Sequence, residues 1–306
     1  MILFLERGRL SRPPFVAMPL TFDWLPDLST LRTPPHLPHV ANPKVLTMGM
    51  SPMTGDWLEP AEEPVKIRAH KLERRAALGD AVYRVCPEGR AGAEELARRV
   101  FDYLTLDTQE LGPASDPGEL LWLSSLAVHE DLVVMAPGEE GYSLVAASLC
   151  SPSHWRLPEK IGRPMARVHD PIPRIHQELT PRIDRIFDNL RVDTPVERYN
   201  WSVQADNALF AWPTTHDGAL DPATPLWYRV ERQTLTRLPN SQALAFTIRV
   251  HMDPLASLLR VDGALAALFA AIDGTPDDLK QYKTFDWLSP ALDKYRTVAD
   301  GIGDLV

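Results

Sequence analysis

The sequence predicts an α+β fold, with helices and strands segregated along the chain rather than alternating as βαβ units. Three observations carry that reading. From Ala93 to Leu106 apolar residues recur at helical spacing, at Leu96, Val100, Phe101 and Leu104. After Glu130 the pattern changes to short strand-like runs, Asp131–Met135 and Tyr142–Cys150, joined by Pro137-Gly138-Glu-Glu-Gly141, which is a hairpin signal. Beyond Asp262 the chain returns to an Ala/Leu-rich helical pattern.

Taken in order, the elements begin with a proline-dense stretch. The chain has 29 prolines, well above the average usage of about 5%. Pro34, Pro35, Pro38 and Pro43 forbid a regular helix, so 19–45 reads as an extended arm over the surface of a domain. Helices are expected at 64–80, 93–106 and 119–128, with Pro113 to Gly118 as a loop. After the hairpin come a helical insert ending in a helix near 175–190 and three strands at 201–212, 226–235 and 244–251. In the last strand Leu244, Phe246, Ile248 and Val250 point one way while Thr247, Arg249 and His251 point the other. A helix at 262–272 and a mostly helical tail follow. Two strands, a helical insert and three further strands are the order of a PAS-like five-stranded antiparallel sheet, flanked here by N- and C-terminal helical regions. The expected divisions are an extension at 1–18, with Met18 an alternative start, an arm and helical region at 19–128, the sheet domain at 129–262 and helices at 263–306.

An apolar fraction of 44% with eight Trp supports a buried core, and the net charge of -9 argues against a nucleic-acid binder. Two cysteines, Cys86 and Cys150, make neither a disulfide framework nor a CxxC metal site and point to a reduced, cytoplasmic setting. No window reaches the 18 or more apolar residues of a membrane span. Glu6, Arg7 and Arg9 follow the apolar Met1–Leu5, the reverse of a signal peptide's order.

The segment Ser153 to Pro173 sets one histidine, His169, between the Gly162-Arg163-Pro164 turn and the pair Pro171 and Pro173. Proline fixes its own φ and restricts the residue before it, so Asp170 and Ile172 are pushed toward extended backbone. A histidine so framed has few orientations, and imidazole is the commonest side-chain metal ligand. His129, His154 and His176 are rival ligands, and a buried Cys150 thiolate is another. His36-Leu-Pro-His39 has the spacing of a metal pair but no nearby partners in the sequence.

Motifs along residues 22–285 resemble the haem-dependent oxidative N-demethylase family of α-subunit type. They are Met48-Gly-Met50 with Asp56-Trp-Leu58, His129 to Met135, Cys150 to Trp155, Glu159-Lys-Ile-Gly-Arg163 with Val168-His-Asp-Pro-Ile-Pro173, Arg198-Tyr-Asn-Trp201, Val230 to Pro239 and Phe246-Thr-Ile-Arg249. His251 departs from the pattern, where an aromatic residue is more usual, and so does Ser151, where Phe is expected. The resemblance implies a PAS-like fold holding haem b and monooxygenation of a small secondary amine such as dimethylamine to the primary amine and formaldehyde. It also implies a hetero-oligomer with a flavin/iron-sulfur reductase as electron donor. The chain itself has no GxGxxG fingerprint, no P-loop and too few cysteines for an iron-sulfur cluster.

Carried onto this sequence, the resemblance makes His169 the proximal iron ligand. Lys160 and Arg163 flank that loop as propionate partners or as surface cations. Glu231, Arg232 and Gln233 read either as a solvated sheet face paired with Arg249 or as a polar patch at the haem. In the second reading Glu231 holds an alkylammonium together with Tyr199, Trp201 and Tyr228, and Arg232 or Arg249 binds a propionate or completes a proton network. Histidine gives less push for O–O cleavage than thiolate, so Glu231 and Arg232 would deliver protons. The alternative is a haem-PAS sensor or a non-catalytic haem-binding protein.

Overall fold

A computed structural model of the chain describes residues 24–45, 47, 49–106, 117–153, 155–168, 180–192, 194–212, 216 and 218–303. It is a mixed helix and sheet structure around one seven-stranded sheet whose named strands all pair antiparallel. The strands are β1 (Ser51–Pro52), β2 (Tyr83–Val85), β3 (Asp131–Gly138), β4 (Gly141–Ser148), β5 (Val196–Gln204), β6 (Trp227–Arg237) and β7 (Leu244–Pro254), in the order β1-β5-β6-β7-β3-β4-β2.

The five strands expected from the sequence are therefore consecutive in the middle, and the sheet is wider than expected by one short strand at each edge. β1 and β2 are too short to show a period. Each exists only by pairing, β1 with the start of β5 and β2 with the end of β4. β5 begins before the expected residue 201 and stops at Gln204. The Gln204 side chain donates to the Asp206 and Ala208 carbonyls (2.9 and 3.0 Å), and Asp206 Oδ1 accepts from Ala208 N (2.9 Å), which turns the chain out of the sheet.

The helices are α1 (Pro38–Ala41), α2 (Pro64–Leu78), α3 (Arg90–Tyr103), α4 (Leu120–Ser125), α5 (Leu157–Lys160), α6 (Met165–Val168), α7 (Thr180–Asn189), α8 (Ala264–Asp273), α9 (Asp277–Tyr282) and α10 (Phe285–Gly303). None among the described residues is long and apolar enough to cross a membrane. They divide between the two faces of the sheet. On the first face, Ile183, Phe187 and Leu190 of the α7 region and Leu157 and Ile161 at α5 pack on Val133, Leu235, Ile248 and Val250. On the second, α3 and α4 pack on Leu132, Val134 and Ala245, while α8 and α10 pack on Trp201, Val203, Tyr228 and Val230.

Two glycines set these approaches. Gly141 ends the hairpin turn at φ 90°, and a Cβ there would stand 2.8 Å from Asp184 Oδ1 on α7. Gly92 lets α3 approach so closely that a Cβ would stand 2.7 Å from Val134 Cγ1. The arm does more than lie on the surface, because His39 is buried, with its ring nitrogens 2.7 Å from Tyr228 Oη and 2.9 Å from the Ala264 carbonyl.

Candidate functional site

Successive residues of a strand face opposite sides of the sheet, and the register assigns each candidate to a side. Arg198 pairs with Gln233, Asn200 with Glu231, and Glu231 with Val250, so all of these share the first face, beneath the insert. Tyr199 pairs with Arg232, Arg232 with Arg249, and Trp201 with Val230 and through it His251, so these share the second. The expected pocket is thereby split. The aromatic side chains of Tyr199, Trp201 and Tyr228 do not enclose Glu231, and neither Arg232 nor Arg249 reaches it. The alternation that separates residue 231 from 232 is a property of any strand, and grouping the two ignored it.

On the first face Glu231 is buried and its carboxylate is saturated. Oε1 accepts from Arg229 Nε (3.2 Å), and Oε2 accepts from Gln233 Nε2 (3.0 Å) and Asn200 Nδ2 (3.3 Å). Arg229 is fully buried and also donates to the Leu209 and Ser151 carbonyls (3.0 and 2.7 Å). Lys283, at the end of α9, donates to Asn200 Oδ1 (3.2 Å) and the Trp201 carbonyl (3.1 Å). Burial lowers the Lys283 ammonium to about 8, and Glu231 is the charge that resists the fall. Arg198 is likewise depressed by burial, and among the described residues Glu231 is the charge that supports it. It donates through Nη2 to the Thr47 carbonyl (3.0 Å), while its buried Nε has no partner. Three cations thus converge on one carboxylate, and an uncompensated buried cation is costly.

The insert is stitched to this side of β4. Gly162 N donates to the Leu144 carbonyl (2.7 Å), Leu144 N donates to the Arg163 carbonyl (3.1 Å), and Gly162 takes φ 74°. The Gly-Arg-Pro turn is therefore a fixed platform, with Lys160 buried and Arg163 exposed. His169 follows it, and with His154, Asp170, Pro171, Pro173 and His176 it lies outside the described residues. Cys150 is buried, and its thiol is pushed up to about 12 by burial and then by Asp131, which keeps it protonated.

On the second face Arg232 is matched, donating through Nε to Glu197 Oε2 (2.9 Å) and through Nη2 to the Asp56 carbonyl (2.9 Å). Arg249 donates through Nη2 to the Pro60 carbonyl (3.2 Å), while its buried Nε and Nη1 have no hydrogen bond among the described residues. Trp201 stacks on Phe285 with ring centroids 6.0 Å apart, inside the core made with α8 and α10. Both ring nitrogens of His129 are buried without hydrogen bonds among the described residues, and burial, then Arg249, drives its pKa down to about 2.

The residues that sequence reasoning missed are Lys283 and Arg229, together with the partnership of Arg198 and Asn200 with Glu231. The alternation from Glu231 could have supplied Arg229. Lys283 comes from a helix brought back to β5, which no local pattern encodes. A family model described as haem-dependent oxidative N-demethylase, alpha subunit-like, matches residues 102–292, a span that contains the whole insert, strands β3 to β7 and Lys283.

Proposed function

The chain belongs to the haem-dependent oxidative N-demethylase, alpha subunit-like family, and we propose that it oxidises a small secondary amine of the dimethylamine kind to a primary amine and formaldehyde. In this reading the central five strands and the insert form a PAS-like domain, and haem b lies on the first face of the sheet with His169 as its iron ligand. The observation that carries the reading is the surplus of positive charge there among the described residues, Arg229 being buried and Arg198 and Lys283 half-buried. Among the described residues Arg198, Arg229 and Lys283 share one carboxylate, that of Glu231, and the two propionates of haem b are anions that would balance them. Arg198 is the first candidate for a propionate, since its Nε is buried without a partner. The haem would supply dioxygen binding and activation.

Glu231 is here a positioning residue, holding the three cations together, and not the anchor of an alkylammonium. A fourth cation beside them would be repelled, so the site favours the neutral amine, whose lone pair and N-methyl group are then open to oxidation. Lys283 Nζ, lowered to about 8 and fixed to Asn200 Oδ1 and the Trp201 carbonyl, can release and regain a proton near neutral pH, which a guanidinium cannot. Electrons come from a flavin/iron-sulfur reductase subunit or protein, in a cytoplasmic setting suited to the free thiols of Cys86 and Cys150.

Formaldehyde release from dimethylamine, with a chemical reductant standing in for the partner, tests the activity. Turnover lost in Lys283→Met at retained haem content supports the reading. Haem-loaded wild type that takes electrons and oxygen but releases no formaldehyde from any methylamine would contradict it.

A further inference from the structure

The second face carries a separate constellation that the haem reading does not use. His36 of the N-terminal arm, Glu59 of the segment before α2 and His251 of β7 bring one ligand atom each to within 4.8 Å of one another. His36 Nε2 lies 3.3 Å from Glu59 Oε1, and His251 Nε2 lies 2.8 Å from Glu59 Oε2. The His36 ring is packed between Tyr199 and His251, with centroids 4.8 Å from each. His39, the other half of the sequence pair, is committed elsewhere, to Tyr228 and Ala264. The partners that His36 lacks in sequence are therefore supplied by the fold.

Two histidines and one carboxylate are a ligand set for zinc-class divalent ions, with further positions left for water. We infer that His36, Glu59 and His251 bind a divalent transition-metal ion of the zinc class, which ties the arm to the sheet and keeps an open side toward solvent.

Three observations support this. Both histidines are presented as ligands: each sends Nε2 to Glu59, yet the buried Nε2 of His251 has no hydrogen bond in line and meets the carboxylate only as a close charge contact. The surroundings also leave room for added positive charge. Arg232 and Arg249 stand 3.6 and 3.7 Å from Glu59, but Arg232 is also held by Glu197 and Arg249 feels Glu130 and Glu62, while Arg32 is held by Asp253 and Glu62. Carboxylates outnumber guanidiniums in this cluster. Finally, the side chains of His36 and Glu59 remain 22% and 21% exposed, against 7% for His251, so an ion can enter from the arm side.

The test uses tag-free full-length protein with haem loaded, dialysed against chelator and re-equilibrated with Zn2+, and zinc counted per chain by elemental analysis. Haem contributes iron and no zinc, so this readout stands whether or not the haem reading holds. About one zinc per chain is expected in the wild type, falling at least tenfold in His251→Phe and in Glu59→Gln. His36→Gln, at a partly exposed position that leaves the buried cluster in place, is expected to lose zinc with unchanged circular dichroism. Equal zinc in wild type and His36→Gln, or none in the wild type, would overturn the inference and leave the trio an ion-pair cluster.

Discussion

Glu231 and Arg232 are neighbours in the chain and occupy opposite faces of the sheet, each inside its own charge network. Glu231 gathers Arg229, Asn200 and Gln233 beneath the insert, whereas Arg232 is clamped by Glu197 and by the Asp56 carbonyl beneath the arm. The two side chains therefore have separable effects.

Glu231→Gln removes the carboxylate that, among the described residues, Arg198, Arg229 and Lys283 share. Breaking a buried charge pair costs about 3–5 kcal/mol, and loss of that order is expected in chemical denaturation of the haem-free protein. Haem added to the variant should recover more stability than it gives the wild type, since its propionates meet cations left without a partner.

Arg232→Met leaves the buried Glu197 carboxylate without its guanidinium, held by the Thr54 N and Oγ1 donors. A loss of about 3–5 kcal/mol is again expected, but with haem content per folded chain unchanged. The ratio of Soret absorbance to protein absorbance in the soluble fraction checks it.

Lys283 gives a pH signature. Its ammonium falls from 10.5 to about 8 on folding, so between those values the unfolded chain binds more protons and stability rises with pH. The cost of burying the charge is fully present below about 8 and relieved toward 10.5. Stability of the wild type relative to Lys283→Met should thus climb by up to roughly 3 kcal/mol over that window. Parallel denaturation midpoints at pH 7.5 and 10 measure it, and equal differences at both would show that Lys283 titrates normally.

Gly141→Ala places a side chain at positive φ and into Asp184. A loss of about 1–3 kcal/mol is expected, read as a lower urea midpoint, because the side chain is held at φ 90° and the Asp184 carboxylate must move aside.

Much of the architecture was legible in the sequence because it is local. The Leu96/Val100/Phe101 stripe specifies α3, the Pro137 to Gly141 turn specifies the hairpin, and the alternation from Leu244 specifies β7. What was not legible depends on register and on distance in sequence. Two- and three-residue edge strands have no pattern of their own. The end of β5 is set by the Asp206 turn, not by the aromatic residues beyond it that extended the expected strand. The site was half legible: Glu231 and the Gly162 turn stand out as residue types, but Lys283 reaches Asn200 only because α9 folds back on β5, and Glu59 meets His36 and His251 only because the arm crosses β7.

Haem content per chain, measured by pyridine haemochrome on protein expressed with haem supply, decides which face of the sheet is the cofactor's. Wild type, His169→Ala, Arg198→Leu and Arg249→Leu should be compared side by side. A Soret band lost in His169→Ala, weakened in Arg198→Leu and retained in Arg249→Leu is the expected result. A band retained in Arg198→Leu and lost in Arg249→Leu would put the haem on the opposite face, and a wild type with no Soret band would contradict a haem site on this chain altogether.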